Sequence, residues 1–267
     1  MSKSLCMRLR QTVFSWSMLA CVLVGIVMLM WFSVTNWLQY NRYIGDISFS
    51  EMCGNFLESI FNAHARSGYN LFAPVFAVLP ASTLFCDDYN SGYLKSILIR
   101  ASKNKYICET ILCASVAGGL AVMLPDLIAS VVFWVYGQPN LPTQYGTFVD
   151  ESVFAEIQYV WDGRLVALLW LLSAFLCGAV WGTAGLCISA YLPNRYVALA
   201  APFAIYYGAH LLLYRIGSLV VLSPVNMVQP IAAFLPNLAY PYLYHMILLT
   251  AIVAIYCGAV RRRLGNV

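Results

Sequence analysis

The sequence predicts an all-α fold: a polytopic membrane helix bundle with about six transmembrane helices and no large soluble domain. Three observations lead there. Apolar residues make up 61% of the chain and charged residues 10%, which leaves too little polar surface to coat a soluble globule. A hydrocarbon core of roughly 30 Å takes about 20 apolar residues as helix, so 267 residues supply several spans with short connections, and residues 1–267 read as one transmembrane domain. Finally, Lys and Arg alternate in density from loop to loop, as they do around membrane spans.

Lys3, Arg8 and Arg10 precede the first apolar run, from about Val13 to Val34. It is longer than a signal-peptide core and lacks a small-residue cleavage pattern before Asn36, so it reads as a retained signal anchor. In the following loop Ser48 and Glu51 have capping-box spacing, and Met52, Phe56 and Ile60 recur at helical spacing; a short amphipathic helix is expected. The second span, about 69–86, carries Pro74 and Pro80.

Between Ser91 and Ala101, Leu94, Ile97, Leu98 and Ala101 share one helical face while Lys95, Ser96 and Arg100 occupy others. This predicts an amphipathic helix of about eleven residues and roughly 16 Å. It is long enough for a groove on a partner protein, and equally suited to snorkel toward anionic lipid headgroups. Asp87 and Asp88 stand just before it, placed to favour its positive end or to meet basic groups on a partner.

The remaining spans are placed at about 107–136, 165–190, 196–222 and 240–260. Gly178 and Gly182 form a GxxxG in the fourth, extended by Gly185, and Gly118 and Gly119 lie in the third; such spacing allows close helix packing. Residues 223–240 carry Pro224, Pro230 and Pro236 yet stay mostly apolar, which fits a re-entrant or broken element between the fifth and sixth spans.

An even number of crossings puts both termini on one side. Lys3, Arg8, Arg10, Lys95, Arg100, Lys103, Lys105, Arg195, Arg261, Arg262 and Arg263 then form the cytoplasmic set, leaving Arg42, Arg66, Arg164 and Arg215 outside. Asp46, Glu51, Glu58, Asp150, Glu151, Glu156 and Asp162 also fall in outer loops. The net charge of +4 is therefore a topogenic asymmetry; no basic stripe or stacking platform points to nucleic acid.

Asp126 follows Pro125 in the third span. It is a candidate for lining a substrate path, unless the span breaks at Pro125 and leaves it in a wet outer part of the bundle. Glu109 is one turn from Lys105 and placed to pair with it. His210 and His245 read as satisfied packing histidines. Of nine cysteines, only Cys53 falls in an outer loop, and no cluster has metal-ligand spacing, so they read as small packing residues and no metal site is expected.

The order of a basic N-terminal stretch, a first span, an outer loop, a proline-containing second span, and then Phe85, Asp87, Ser91, Gly92, Lys95, Arg100 and Tyr106 leading into a third span resembles the permease subunits of ABC-2 type transporters. The family's six spans and re-entrant outer segment match this layout over nearly the whole chain. The resemblance implies that residues 91–101 are similar to the coupling helix that docks into the ATP-binding subunit, and residues 2–12 to the interfacial elbow helix. It implies two permease subunits, as homodimer or heterodimer, driven by two copies of an ABC ATPase subunit that holds the ATP and Mg. This chain has no GxxxxGK[ST] P-loop, no HExxH, no GxS turn and no facing aspartate pair, so no enzyme activity or cofactor of its own is expected. Apolar walls favour export of a hydrophobic or amphipathic cargo such as a drug, an antimicrobial peptide or a lipid. A secondary transporter or small channel without an ATPase is the alternative, although the two halves show no repeat.

Overall fold

A computed structural model describes residues 3–43, 45–46, 48–100, 102–138, 152–230 and 235–265. Asp150 and Glu151, Ala101 at the end of the amphipathic segment, and residues 231–234 of the proline-rich segment lie outside the described residues. Along the chain run α1 (Lys3–Val13), α2 (Trp16–Tyr43), α3 (Phe49–Cys53), α4 (Phe56–Ser67), α5 (Tyr69–Val78), α6 (Leu84–Asn90), α7 (Tyr93–Arg100), α8 (Lys103–Tyr136), α9 (Arg164–Tyr191), α10 (Arg195–Arg215) and α11 (Tyr240–Gly265). Five of these, α2, α8, α9, α10 and α11, are long and apolar enough to cross a membrane. Each turns large apolar side chains outward, among them Trp31 on α2, Val135 on α8, Leu168 on α9, Leu212 on α10 and Ile247 on α11, as lipid-facing helices do.

The centre of the bundle is the antiparallel pair α8–α9. A Cβ on Gly178 would fall on the carbonyl oxygen of Gly118 and within 2.9 Å of the Gly119 Cα, and one on Gly182 would lie 2.7 Å from the Ala114 carbonyl oxygen. These backbones touch with no side chain between them, which maximises dispersion contact where lipid offers no hydrophobic driving force. The Ala77 carbonyl of α5 reaches the same seam, 3.0 Å from the Cβ position of Gly182. On the far side α2 packs at Gly25, whose Cβ would sit 2.7 Å from Pro125 Cγ and 3.1 Å from the Tyr69 ring.

The continuous second span predicted at 69–86 is two pieces. Helix α5 ends at Val78, residues 79–83 form a turn, and α6 begins at Leu84, because Pro80 has no N–H to give and its ring displaces the carbonyl four residues back. That freed carbonyl, of Phe76, accepts from Cys21 Sγ at 3.7 Å. Pro74 likewise frees the Asn70 carbonyl, which accepts from the Tyr206 hydroxyl at 2.5 Å. Neighbouring helices thus satisfy what Pro74 and Pro80 release, as apolar surroundings require.

Other boundaries moved for local reasons. Helix α2 starts at Trp16, where Ser15 Oγ accepts from the Met18 N–H at 3.2 Å, and runs to Tyr43, past the predicted end. The capping box at Ser48 forms, with Ser48 N–H on Glu51 Oε2 at 2.9 Å and Glu51 N–H on Ser48 Oγ at 3.2 Å. The helix it starts does not reach Ile60: Gly54, at φ 59°, separates α3 from α4. Cys53, expected in an open loop, is buried against α4. Helix α10 stops at Arg215 instead of 222, where the chain turns through Gly217 at φ 50°.

Beyond it, 3-10 turns at Val220–Leu222 and Pro224–Met227 are followed by buried Val228 and Leu235. The carbonyls of this irregular stretch are taken by side chains from the helices: Met227 accepts from Ser173 Oγ at 2.6 Å and Leu222 from the Tyr244 hydroxyl at 3.1 Å. His210 meets Ser223 Oγ at 2.8 Å, and His245 donates from Nδ1 to the Pro241 carbonyl at 2.7 Å.

The α8–α9 contact makes a sharp prediction. Gly178→Ala places a methyl on the Gly118 carbonyl and is expected to destabilise the protein by about 1–3 kcal/mol, read as a lower unfolding temperature in detergent. Gly208→Ala, whose Cβ position is open, is the control; equal behaviour of the two would show that the helices do not touch there.

Candidate functional site

Polar groups gather in two places. The first is the end of the bundle around α6 and α7. Asp88 Oδ2 accepts from Arg8 Nη1 at 3.0 Å and from the Tyr106 hydroxyl at 3.0 Å, while the Arg8 guanidinium lies over the Tyr106 ring at 5.5 Å. Asp87 Oδ1 accepts from Arg195 Nε at 2.6 Å, and its Oδ2 from Thr83 Oγ1 at 3.0 Å. The two adjacent carboxylates on α6 therefore hold three other helices: Asp88 fastens α1 and α8, and Asp87 the start of α10. Asn90 adds a bond to the Pro193 carbonyl at 3.1 Å in the α9–α10 connection.

Gly92, at φ 71°, turns the chain from α6 into α7. Leu94 of α7 is buried, and Ile97 packs on the same cluster, which also contains Phe85, Tyr106, Leu186, Tyr256 and Leu264. On the opposite side Tyr93 is 57% and Ile99 86% exposed. Lys95 and Arg100 lie on α7, where their backbone alone is described. Helix α7 is thus a short helix clamped to the bundle by one face, with its other face open.

The second place is buried. His64 Nε2 lies 2.9 Å from Asp126 Oδ1, and His64 Nδ1 lies 2.7 Å from Asn70 Oδ1. With acceptor oxygens facing both ring nitrogens, the arrangement favours an imidazole that donates twice, the protonated form. Burial pulls the His64 pKa down, but the Asp126 charge and the hydrogen bonds to Asp126 and Asn70 outweigh it, and the net direction is upward. The Tyr69 ring stands edge-on to His64 at 5.4 Å, and its hydroxyl donates to the Val122 carbonyl at 2.5 Å. Helix α8 continues through Pro125, and Asp126 is 3% exposed. The alternative that the span breaks there and leaves the carboxylate wet is therefore overturned.

Of the predicted site residues, Asp87, Asp88 and Gly92 come together at one end, with Lys95 and Arg100 on the helix that follows. Asp126 is on a separate level, and Gly178 and Gly182 serve the α8–α9 seam. The chemistry missed in the sequence is His64, with Asn70 and Tyr69 around it, and the cations Arg8 and Arg195 as partners of the acidic pair. His64 had a signal: it extends the spacing Met52, Phe56, Ile60 by one more step of four, a polar residue on an apolar face, which calls for a buried partner. Nine free thiols are present and no metal-ligating cluster occurs among the described residues.

His64→Leu leaves the Asp126 carboxylate buried without its counterion and is expected to cost about 3–5 kcal/mol. The double variant His64→Leu/Asp126→Leu removes both charges and is expected to recover most of that, so a double-mutant cycle by thermal unfolding measures the coupling. The pH dependence has a definite sign. A raised folded-state pKa makes the His64 contribution complete below the ordinary histidine value and lost as pH rises through the elevated one. Wild type is therefore expected to lose stability on the alkaline side more steeply than the double variant, and parallel profiles would contradict the ion pair. No family model, curated protein or solved structure matches this chain.

Proposed function

We propose that this chain is the membrane-spanning permease subunit of an ATP-driven ABC-2 type transporter in the cell membrane. It works as a homodimer or heterodimer with two copies of a separate ATPase, and exports a hydrophobic or amphipathic substrate such as a drug, an antimicrobial peptide or a lipid. The observation that carries this reading is α7: one face is locked into the cluster formed by α6, α8, α9 and α11, and the other is open at Tyr93 and Ile99. A lever that passes force from a soluble motor to a bundle needs that division.

Other features support the same reading. Counting α5, the Pro80 turn and α6 as one interrupted crossing brings the five long helices to six spans, and the Lys and Arg asymmetry then puts both termini in the cytoplasm. Helix α1, fastened to α6 and α8 through Arg8, takes the elbow position. The buried, side-chain-satisfied stretch after α10 suits a re-entrant element in the outer leaflet. A secondary transporter remains the second reading, and the His64–Asp126 pair favours it, because a buried protonatable couple is what a proton-driven carrier uses.

Affinity purification of this chain from its native membrane is expected to bring along a soluble protein with a P-loop. Gly92→Val forces a branched residue into a left-handed conformation, at a cost of roughly 1–2 kcal/mol, and is expected to reduce capture of the ATPase at least tenfold while membrane insertion persists. Full transport by the purified chain in proteoliposomes without nucleotide hydrolysis would falsify the permease reading and favour the carrier.

A further inference from the structure

A cavity of about 220 Å³ lies between the Tyr43 end of α2 and the helix α4. Its walls are unlike the rest of this apolar chain: Phe32, Ser33 and Asn36 face it from α2, and Ser59, Asn62 and Arg66 from α4. The residues on each helix are three or four apart, so each helix presents a polar stripe to the other. Ser59 Oγ is committed to the Cys53 carbonyl. Among the described residues, the side chains of Ser33, Asn36 and Asn62 have no hydrogen-bond partner, and no carboxylate pairs with Arg66.

The Arg66 guanidinium carbon stands 4.6 Å from the centre of the Phe32 ring. A cation–π contact of this kind is electrostatic and leaves guanidinium N–H donors available for a second partner. Those donors, with the carboxamide N–H groups of Asn36 and Asn62 and the Ser33 hydroxyl, surround a space that holds roughly seven waters at ~30 Å³ each. That is room for a tetrahedral oxyanion and a few waters. The acidic residues nearby in sequence, Glu51 and Glu58, do not line the cavity. Planar guanidinium donors matched to phosphate oxygens are the geometry that recognises this group.

We propose that the α2–α4 seam is a binding site for a phosphate oxyanion, gripped by Arg66 and oriented by Asn36 and Asn62. The phosphate belongs either to a free ion or to a lipid headgroup, since the cavity sits where α2 leaves its apolar stretch. The full-length protein is to be titrated with inorganic phosphate in detergent by calorimetry. In parallel it is reconstituted in nanodiscs containing phosphatidylglycerol, and retained lipid is counted by native mass spectrometry.

Wild type is expected to bind in at least one arm: phosphate in the first identifies a soluble ligand, and lipid retention in the second alone identifies a headgroup. In the positive arm Arg66→Gln is expected to weaken binding at least tenfold and Asn36→Ala, on the other helix, at least threefold. Arg42→Gln, an exposed cation of α2 outside the cavity, is expected to leave it unchanged. No binding in either arm, or equal loss in Arg42→Gln and Arg66→Gln, overturns the proposal.

Discussion

The backbone contact between α8 and α9 at Gly118 and Gly178 is the constraint on which the rest of the bundle depends. In a lipid-facing protein apolar burial gives helices little reason to prefer each other over acyl chains, so close dispersion contact has to supply it. Glycine on both sides brings the axes near enough for α5 to reach the same seam through Ala77, and for α2 to close the other side at Gly25 against Pro125. A side chain at Gly25, Gly118 or Gly178 would push out the helix opposite.

With the helices that close, a polar group released inside is costly unless it finds an acceptor or donor inside. The prolines show how this is met. Pro74 and Pro80 each strand a carbonyl, and each stranded carbonyl is matched by a side chain from another helix, Tyr206 or Cys21. The charges follow the same rule. Asp126 has His64, Asp88 has Arg8, and Asp87 has Arg195, and every one of those pairs joins elements far apart in the chain. The Arg164–Asp162 pair, two residues apart, is the local exception.

The long helices were legible in the sequence because hydropathy over some twenty residues is a strong local signal; α9 agrees with its predicted limits of 165–190 within a residue at either end. What was not legible depended on through-space partners. Pro80 could be seen as a possible break, but whether the helix bends or stops there depends on whether a neighbour takes the Phe76 carbonyl. Gly54 and Gly217 end helices through left-handed backbone, which an apolar pattern does not encode. Local sequence offers Asp87 and Asp88 only the positive end of the next helix or a partner's basic groups, because Arg8 and Arg195 lie 80 and 108 residues away, beyond the reach of any local rule. His64 shared the spacing of Met52, Phe56 and Ile60, and only its burial against Asp126 gave that spacing chemical meaning.

The two polar centres lie on different levels of one closely packed pair of helices, and this bears on how the proposed lever would act. Helices α8 and α9 run through both hydrophobic clusters, the one around Phe85, Leu94 and Tyr256 and the one around Tyr69, Phe133 and Trp170. Between the clusters they meet backbone to backbone, with no compressible side chain to absorb a displacement. On the permease reading, a push on α7 enters the first cluster through Leu94 and moves α8 and α9 as a unit. Helix α4 and the irregular stretch after α10 share the second cluster with that pair, and each adds a polar joint to it, His64–Asp126 and the Ser173 bond to the Met227 carbonyl. On the permease reading, those polar joints are where motion imposed on α7 would reach the other end of the bundle.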